Sequence, residues 1–155
     1  MFGKIIPFFA NVNLICYKLH SFLILNHFLL TIAILMNHNT KSIRPFIGAN
    51  DFGISRSFYN DWGFEEVVLS HNLSLFKTGA FGFYLQDYAA KDWIDNTMIF
   101  LEVENVADYW KELTSLNLPE KYKTSKIVSI RTMDWGKECF VHDPSGILWQ
   151  IGEFF

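Results

Sequence analysis

Histidines, cysteines and carboxylates are the residues of this chain best suited to chemistry, and their spacing limits what they can do. Cys16 and Cys139 lie in very different segments and belong to no CxxC or Cys/His pattern, so neither a disulfide framework nor a thiolate metal site is predicted. His71 falls in a predicted hairpin and His142 ends a predicted strand beside a turn, where a solvated side chain is the usual outcome. Nothing in these spacings calls for a metal centre.

The composition is that of one ordinary globular domain. The chain has 155 residues, of which 50% are hydrophobic and 19% are charged, which is enough apolar material for a real core. Its formal net charge is −3 and it has no Lys/Arg cluster, so a nucleic-acid surface, which needs a concentrated basic patch, is not predicted. A neutral or cationic small molecule suits this charge better, and the two isolated thiols favour a cytoplasmic location.

Residues 1–36 form an apolar stretch that differs from the rest of the sequence. The first acidic residue of the chain is Asp51, and only Lys4 and Lys18 carry a formal charge before Met36. The apolar run at residues 22–36 is shorter than the roughly 20 residues that cross a bilayer core, and no small-residue cleavage site follows it. We therefore predict an apolar N-terminal extension over residues 1–36, with the native protein beginning at Met36 and one domain over residues 37–155. A membrane-associating or signal-like extension and a structural helix of the domain are the alternatives.

The first half of the domain has the pattern strand, helix and three strands. Residues 43–49 form a short apolar segment that leads to Asp51, a residue type that caps helices by accepting hydrogen bonds from their first free N–H groups. Ile54 and Phe58 lie four apart on one helical face, and Gly63 ends the helix. Three segments rich in β-branched and aromatic residues follow, at residues 65–70, 73–78 and 81–88.

The second half repeats this pattern. A strand is predicted at residues 97–103, and Asn105 is a helix cap equivalent to Asp51, with Asp108 three residues further on. The sequence DPSG at residues 143–146 predicts a turn. The sequence thus predicts an α+β domain of two βαβββ modules, an internal duplication that forms an open half-barrel around a concave cleft. The buried stripe of the second helix is predicted at Val106, Trp110 and Leu113, and its strands at residues 127–132, 137–142 and 147–154.

Motifs in both halves resemble those of one superfamily. The sequence FYNDWGF at residues 58–64 is similar to the FY-x-D-x-LGF signature that follows the first helix of glyoxalase and bleomycin-resistance proteins, with Trp62 where Leu is usual. DNT at residues 95–97, with ADYW at residues 107–110, resembles the opening of the second module of bleomycin-resistance proteins. WGKECF at residues 135–140, followed by DPSG, resembles their ending. The domain therefore resembles the vicinal oxygen chelate superfamily, and most of all its metal-free, bleomycin-resistance-like binding proteins.

The resemblance implies positions at which a metal would be held. Metal-using members of the superfamily bind a divalent ion with His and Glu side chains on the first strand of each module and on the last strand of the chain. The matching positions here are Arg44, Met98 and Gln150. Arg stays cationic, Met offers only a soft thioether and Gln a neutral carbonyl, so these three residues do not suit a hard divalent ion. We predict no metal and no other cofactor, and hence none of the metal-dependent reactions of the superfamily.

Without a metal, the cleft is predicted to bind a small molecule by shape, stacking and a few polar contacts. Trp135 is singled out because the resemblance places it where the corresponding Trp packs on the drug; the alternative is a tryptophan that anchors a loop to the core. Arg44 either pairs with an acid such as Glu102 or Glu138, which is the first expectation, or meets an anionic group of a ligand. On the alternation of side chains along the strands, and with Trp135 added, the predicted ligand-binding residues are Arg44, Phe46, Phe83, Met98, Phe100, Trp135 and Gln150.

Three functions remain open. The favoured one is a non-metal binding protein of the bleomycin-resistance type, which confers antibiotic resistance by sequestering an amphipathic aromatic compound without turnover. The alternative is an enzyme of the glyoxalase/dioxygenase superfamily, a lyase, isomerase or hydrolase, with Glu102, Glu138 or Tyr84 as acid or base. The third is a domain whose concavity is filled by its own aromatic residues or by a partner chain. The resemblance also implies a homodimer in which two chains complete each cleft, and neither nucleic acid nor a membrane is a predicted partner of the domain.

Overall fold

The order strand, helix and three strands occurs twice along this chain. A computed structural model provides the structure of the protein, and it describes residues 39–155. The extension predicted over residues 1–36, with the interpretations offered for it, lies outside the described residues. Residues Ser42–Phe155 form one compact unit. Within residues 39–155, no helix is both long and apolar enough to cross a bilayer.

The first module is a four-stranded mixed sheet with one long helix. Its strands lie in the order β1-β4-β3-β2, with β1 parallel to β4 and the other pairs antiparallel. The elements are β1 (Phe46–Gly48), α1 (Phe52–Asp61), β2 (Glu65–Ser70), β3 (Leu73–Thr78) and β4 (Phe81–Gln86).

The second module repeats the first. Its sheet has the equivalent order β5-β8-β7-β6, again with only the first pair parallel, so the predicted duplication and the α+β fold class are confirmed. The elements are α2 (Lys91–Asp95), β5 (Met98–Glu102), α3 (Val106–Ser115), α4 (Leu118–Lys121), β6 (Lys126–Met133), β7 (Gly136–His142) and β8 (Leu148–Phe154).

The two predicted helix caps are confirmed. The Asp51 carboxylate accepts a hydrogen bond from the N–H of Ile54 at 2.9 Å, and the Asn105 side chain accepts one from the N–H of Asp108 at 2.9 Å. Gly63 has a φ of 99°, the left-handed conformation that glycine adopts at low cost just after a helix. The same local rule therefore starts α1 and α3.

Two local predictions were wrong, and two short helices were missed. The first strand begins at Phe46 and not at residue 43, because Pro45 has no N–H to extend the ladder. Ile54 is 47% exposed, and Ser55 occupies the buried face of α1 in its place. The short helices α2 and α4 were not predicted, since they are too short to show an apolar periodicity.

A cluster of aromatic side chains forms the centre of the core. Tyr59 lies at its centre, with ring centroids 4.8 Å from Phe83, 5.4 Å from Phe76 and 5.9 Å from Trp149. The rings of Tyr59 and Phe83 meet edge to face, an arrangement that stabilises a core beyond the area it buries. Phe58, Tyr59 and Phe64 are buried, which confirms that the motif at residues 58–64 is part of the core.

The predicted turn at residues 143–146 also joins the two modules. The buried Asp143 carboxylate accepts hydrogen bonds from the N–H groups of Ser145 and Ile147, at 2.9 and 2.8 Å. It also accepts one from the Tyr59 hydroxyl of α1 at 2.7 Å, and that hydroxyl accepts one from Trp149 Nε1 at 3.1 Å. Burial raises the pKa of Asp143, and burial beside Asp143 raises the pKa of Tyr59 well above its ordinary value. The turn therefore holds the second module against the first helix.

Candidate functional site

A cavity of about 640 Å³ opens between the two sheets, in the size range of small-molecule sites. On one side it is bounded by the residues that lead into β1 and by the start of β4, and on the other by the whole of β5, an edge strand of the second sheet. Four of the predicted ligand-binding residues, Arg44, Phe83, Met98 and Phe100, line it together. The other lining residues are Ile43, Pro45, Phe64, Thr78, Phe81, Gly82, Ile99, Leu101, Glu102 and Trp149.

The hairpin between β3 and β4 shapes one wall of this cavity. Gly79 has a φ of 58° and turns the chain, so that Phe81 follows at the cavity with 77% of its surface exposed. At Gly82 a Cβ atom would lie 2.5 Å from the backbone oxygen of Phe76, so only glycine fits this part of the wall. Phe83 is 2% exposed and forms the floor, since its ring belongs to the core. The wall is thus a rigid backbone segment that carries an exposed aromatic ring.

Arg44 lines the cavity and also has a buried donor without a partner. Its side chain is half-buried, and its Nε atom is buried without a hydrogen-bond partner. Among residues 39–155, it is the one buried side-chain nitrogen or oxygen atom in this condition, and Arg44 forms no ion pair there. Leaving such a donor unsatisfied costs about 1–3 kcal/mol.

The internal ion pair expected for Arg44 is therefore wrong. Glu138 is taken by another cation, since Arg131 Nε donates to its Oε1 at 2.6 Å. Glu102 lines the cavity as an exposed carboxylate, and no ion pair joins it to Arg44. Pairing between elements that are distant in sequence depends on the packing of the two sheets, which the local pattern did not show.

Gln150 lies on the face of the second sheet, away from the cavity lining. Its Nε2 donates to Glu138 Oε2 at 2.5 Å, and the Arg131 guanidinium lies 4.5 Å from the centroid of the Phe140 ring. Glu138 is only 2% exposed, so Arg131 and Gln150 compensate a nearly buried charge. The amide of Gln150 is thus committed to an internal contact.

Trp135 forms an aromatic cluster on that same sheet. Its ring centroid is 6.2 Å from that of Phe100 and 5.2 Å from that of Phe154. Gly152 lies beneath them, and a Cβ there would be 2.7 Å from Phe100 and 3.2 Å from Trp135. The missing side chain lets both rings lie against the backbone of β8. Phe100 belongs both to this cluster and to the cavity wall.

Phe46 lies on the first sheet and outside the cavity lining. Its ring stacks on Tyr84 of β4 at 4.6 Å, while 48% of its surface is exposed. The predicted ligand-binding residues thus fall into three places, namely the cavity, the face of the second sheet and the face of the first. Sequence reasoning missed Phe81, for which the signal was a large aromatic residue directly after a predicted turn at Gly79.

The residues at the positions implied for metal ligands do not fit a divalent ion. Arg44 brings a positive charge, Met98 is 56% exposed with a soft sulfur, and the amide of Gln150 is bound to Glu138. Among residues 39–155, no three or more His, Cys, Asp and Glu side chains are grouped closely enough to share an ion. Cys139 is a free, buried thiol, and its burial raises its pKa to about 11, which keeps it protonated at neutral pH.

Known structures share this fold, although no protein-family model and no curated protein matches the sequence. The bleomycin-binding protein from bleomycin-producing Streptomyces verticillus, solved with copper(II)-bleomycin, is 18% identical, with a TM-score of 0.62 over 75% of this chain and 99% of its own. Lactoylglutathione lyase from Agrobacterium tumefaciens is 21% identical, with a TM-score of 0.54 over 74% of this chain and 94% of its own. The fosfomycin resistance protein FosX from Listeria monocytogenes, solved with Mn(II) and sulfate, is 12% identical, with a TM-score of 0.57 over 74% of this chain and 90% of its own.

These similarities establish the fold and leave the function open. The fold that the resemblance implies is confirmed, since bleomycin-resistance, lactoylglutathione lyase and fosfomycin-resistance structures share it. Because the matched structures include both a drug-binding protein and a lyase, the fold alone does not choose between binding and catalysis. That choice depends on the residues of the cavity.

Proposed function

We propose that this chain is a metal-free binding protein of the bleomycin-resistance type, which sequesters a small amphipathic aromatic compound in the cytoplasm and confers resistance to it. The observation that carries the proposal is the cavity of about 640 Å³, lined mainly by aromatic and aliphatic side chains and by two charged groups, Arg44 and Glu102. Such a lining favours a planar apolar body with a few polar substituents. The similarity to bleomycin-binding proteins supports the same class of ligand.

The polar groups of the cavity favour binding over metal-assisted chemistry. Arg44 occupies a position where the resemblance implies a metal ligand, and its fixed positive charge repels a divalent ion there. Binding by sequestration needs affinity alone, which a shaped apolar wall supplies through burial of the ligand. Predictions of no cofactor and no turnover follow from this proposal.

The test is a ligand screen by thermal shift on the full chain, with and without added Mn²⁺, Zn²⁺ or Ni²⁺. A compound that binds the native state at 100 times its Kd raises stability by about 2.7 kcal/mol. We expect bicyclic and larger aromatic compounds to raise the melting temperature, and we expect the divalent ions to add nothing. A metal requirement for ligand binding would overturn the proposal.

Two matched variants locate the binding. Met98 and Val68 are strand residues of nearly equal exposure, 56% and 57%, but only Met98 lines the cavity. Met98→Trp is expected to fill the cavity mouth and to lower the affinity for the tightest-binding compound of the screen at least tenfold. Val68→Trp should leave that affinity unchanged. Equal effects of both variants, or none at Met98, would place the ligand elsewhere.

One observation favours the enzyme alternative enough to keep it. Glu102 is an exposed carboxylate on the cavity wall, where a general acid or base would have to lie. Glu138 is held by Arg131 and Gln150, and Tyr84 stacks on Phe46, so neither is as free to act. Mass spectrometry of a bound compound after long incubation distinguishes the two functions. Recovery of unchanged compound supports sequestration, and conversion that Glu102→Gln abolishes supports catalysis.

A homodimer is part of the proposal. Large apolar side chains are exposed on both sheets, including Phe46 on the first and Met98 and Phe154 on the second, and such surfaces usually contact a partner. Sedimentation velocity on the full chain at micromolar concentration is expected to show a dimer. A monomer across that range would mean that one chain provides the whole binding site.

A further inference from the structure

One cationic side chain lines the cavity, and its position limits which charged groups a ligand can have there. Among the described residues that line the cavity, Arg44 is the one Lys or Arg, and its Nε–H has no acceptor. The nearby chain supplies no acid for it, since Arg44 forms no ion pair within residues 39–155. A cationic side chain that lines a cavity without an acidic partner attracts an anionic group of a bound molecule.

The cavity's own carboxylate lies in a different part of it. A second, smaller cavity of about 390 Å³ shares Phe64, Thr78, Phe81, Leu101 and Glu102 with the first but not Arg44. Glu102 lines both cavities, whereas Arg44 lines only the larger one. No ion pair joins the two side chains within residues 39–155, so each is available to a separate group of one ligand.

We propose that Arg44 is the anchor for an anionic group of the ligand, and that the ligand is an aromatic carboxylate. The proposal rests on the proposed function, because it assumes that the cavity binds an aromatic compound. Arg44 lines the cavity and forms no ion pair within residues 39–155, and the planar fork of N–H donors of a guanidinium matches the two oxygens of a carboxylate. The exposed ring of Phe81 on the β4 side of the cavity and the ring of Phe100 on the β5 side are available to contact the aromatic body.

The positive charge of Arg44 has more influence on the charge of the ligand than the net charge of the whole chain. The formal net charge of −3 suits a neutral or cationic compound, but a long-range field of exposed charges is screened over about 10 Å in ordinary salt. A partly buried guanidinium in contact with the ligand is screened far less. A zwitterionic compound, with its carboxylate at Arg44 and a cationic group towards Glu102, satisfies both observations.

The test compares 2-naphthoate with 2-naphthamide by isothermal titration calorimetry on the full chain at neutral pH. The two probes have the same aromatic body and differ only in the negative charge. We expect the acid to bind at least tenfold more tightly than the amide, a difference of about 1.4 kcal/mol. Arg44→Met should remove this preference, while Arg44→Lys, which keeps the charge and loses the parallel donors, should keep part of it.

Arg56→Met is the matched control. Arg56 lies on α1, donates to Glu66 Oε1 at 2.5 Å, and does not line the cavity, so this variant should keep the full preference for the acid. Equal affinity of acid and amide for the unmodified chain overturns the anchor and leaves the proposed function standing. No binding of either probe, or of larger aromatic acid and amide pairs, overturns both. Because the acid and amide are compared first on the unmodified chain, the outcome does not depend on whether a variant folds.

Discussion

Replacement of Arg44 by Met is expected to stabilise the chain in the absence of ligand. The Nε–H of Arg44 is buried and unsatisfied, and an orphaned donor of this kind costs about 1–3 kcal/mol. Met keeps most of the aliphatic stem that packs in the cavity wall and brings no donor. Because the residue as a whole is only half-buried, we take the lower half of the range, a gain of about 1–2 kcal/mol in the free energy of unfolding.

Urea unfolding of both chains measures this gain. Tryptophan fluorescence and circular dichroism are followed together, because coincident transitions justify a two-state analysis. For a domain of this size, 1 kcal/mol shifts the melting temperature by roughly 4 °C, so a rise of about 4–8 °C is expected in a thermal scan.

Arg56→Met is again the control, and its expected sign is opposite. Arg56 pairs with Glu66, and its side chain is 37% exposed, so the loss of this pair should destabilise the chain by less than about 1 kcal/mol. Arginine to methionine is therefore expected to raise the free energy of unfolding at Arg44 and to lower it at Arg56. A loss of more than about 1 kcal/mol at Arg44 would mean that its donor is satisfied in solution, and the argument for an anion anchor would fail with it.

Three further changes test the contacts that hold the fold and the aromatic cluster. Tyr59→Phe removes a hydroxyl that donates to the buried Asp143 and should lower the free energy of unfolding by about 1–3 kcal/mol in urea titrations, without changing secondary structure. Burial raises the pKa of Asp143 above its ordinary 3.8, so the folded chain binds the carboxyl proton more tightly than the unfolded chain does. As the pH rises from 3.8 through the folded pKa, the unmodified chain should therefore lose stability relative to Asp143→Asn. A stability difference that does not change with pH would contradict this. Gly152→Ala puts a Cβ 2.7 Å from Phe100, so it should displace that ring, lower stability by about 1–3 kcal/mol and alter tryptophan fluorescence, whereas unchanged fluorescence would show that the ring moves freely.

Local sequence rules were sufficient for most of the fold. Asp51 and Asn105 capped their helices as expected because a cap depends on only three or four neighbouring residues. The turn at residues 143–146 was predicted for the same reason. Its second role, the contact between Asp143 and Tyr59, was not predicted, since it joins residues that are 84 apart in the chain. Local sequence rules do not predict contacts between residues so far apart in the chain.

The site was predicted only in part because strand alternation does not say which strand is an edge. On β5, alternation correctly separates Met98 and Phe100 from Ile99 and Leu101, but the strand lies at the edge of its sheet and all four residues line the cavity. Phe46 lies on the face of its own sheet, where it meets Tyr84. Alternation assigns residues to faces, whereas the packing of two sheets decides which faces and edges meet.

The position of Arg44 suggests how one fold serves both metal enzymes and binding proteins. In the metal-using members that the resemblance implies, a divalent ion gives the cavity a point of positive charge that attracts oxygen atoms of the bound molecule. In this chain, Arg44 lines the cavity, at a position where the resemblance implies a metal ligand, and its guanidinium supplies positive charge of its own with directional N–H donors. A guanidinium has no open coordination site and cannot lower the pKa of a bound water as a metal does, so it attracts an anion without activating it. If Arg44→Met abolishes the preference for the acid while raising the stability of the free chain, the charge is retained for binding at a cost to folding, as expected of a functional residue.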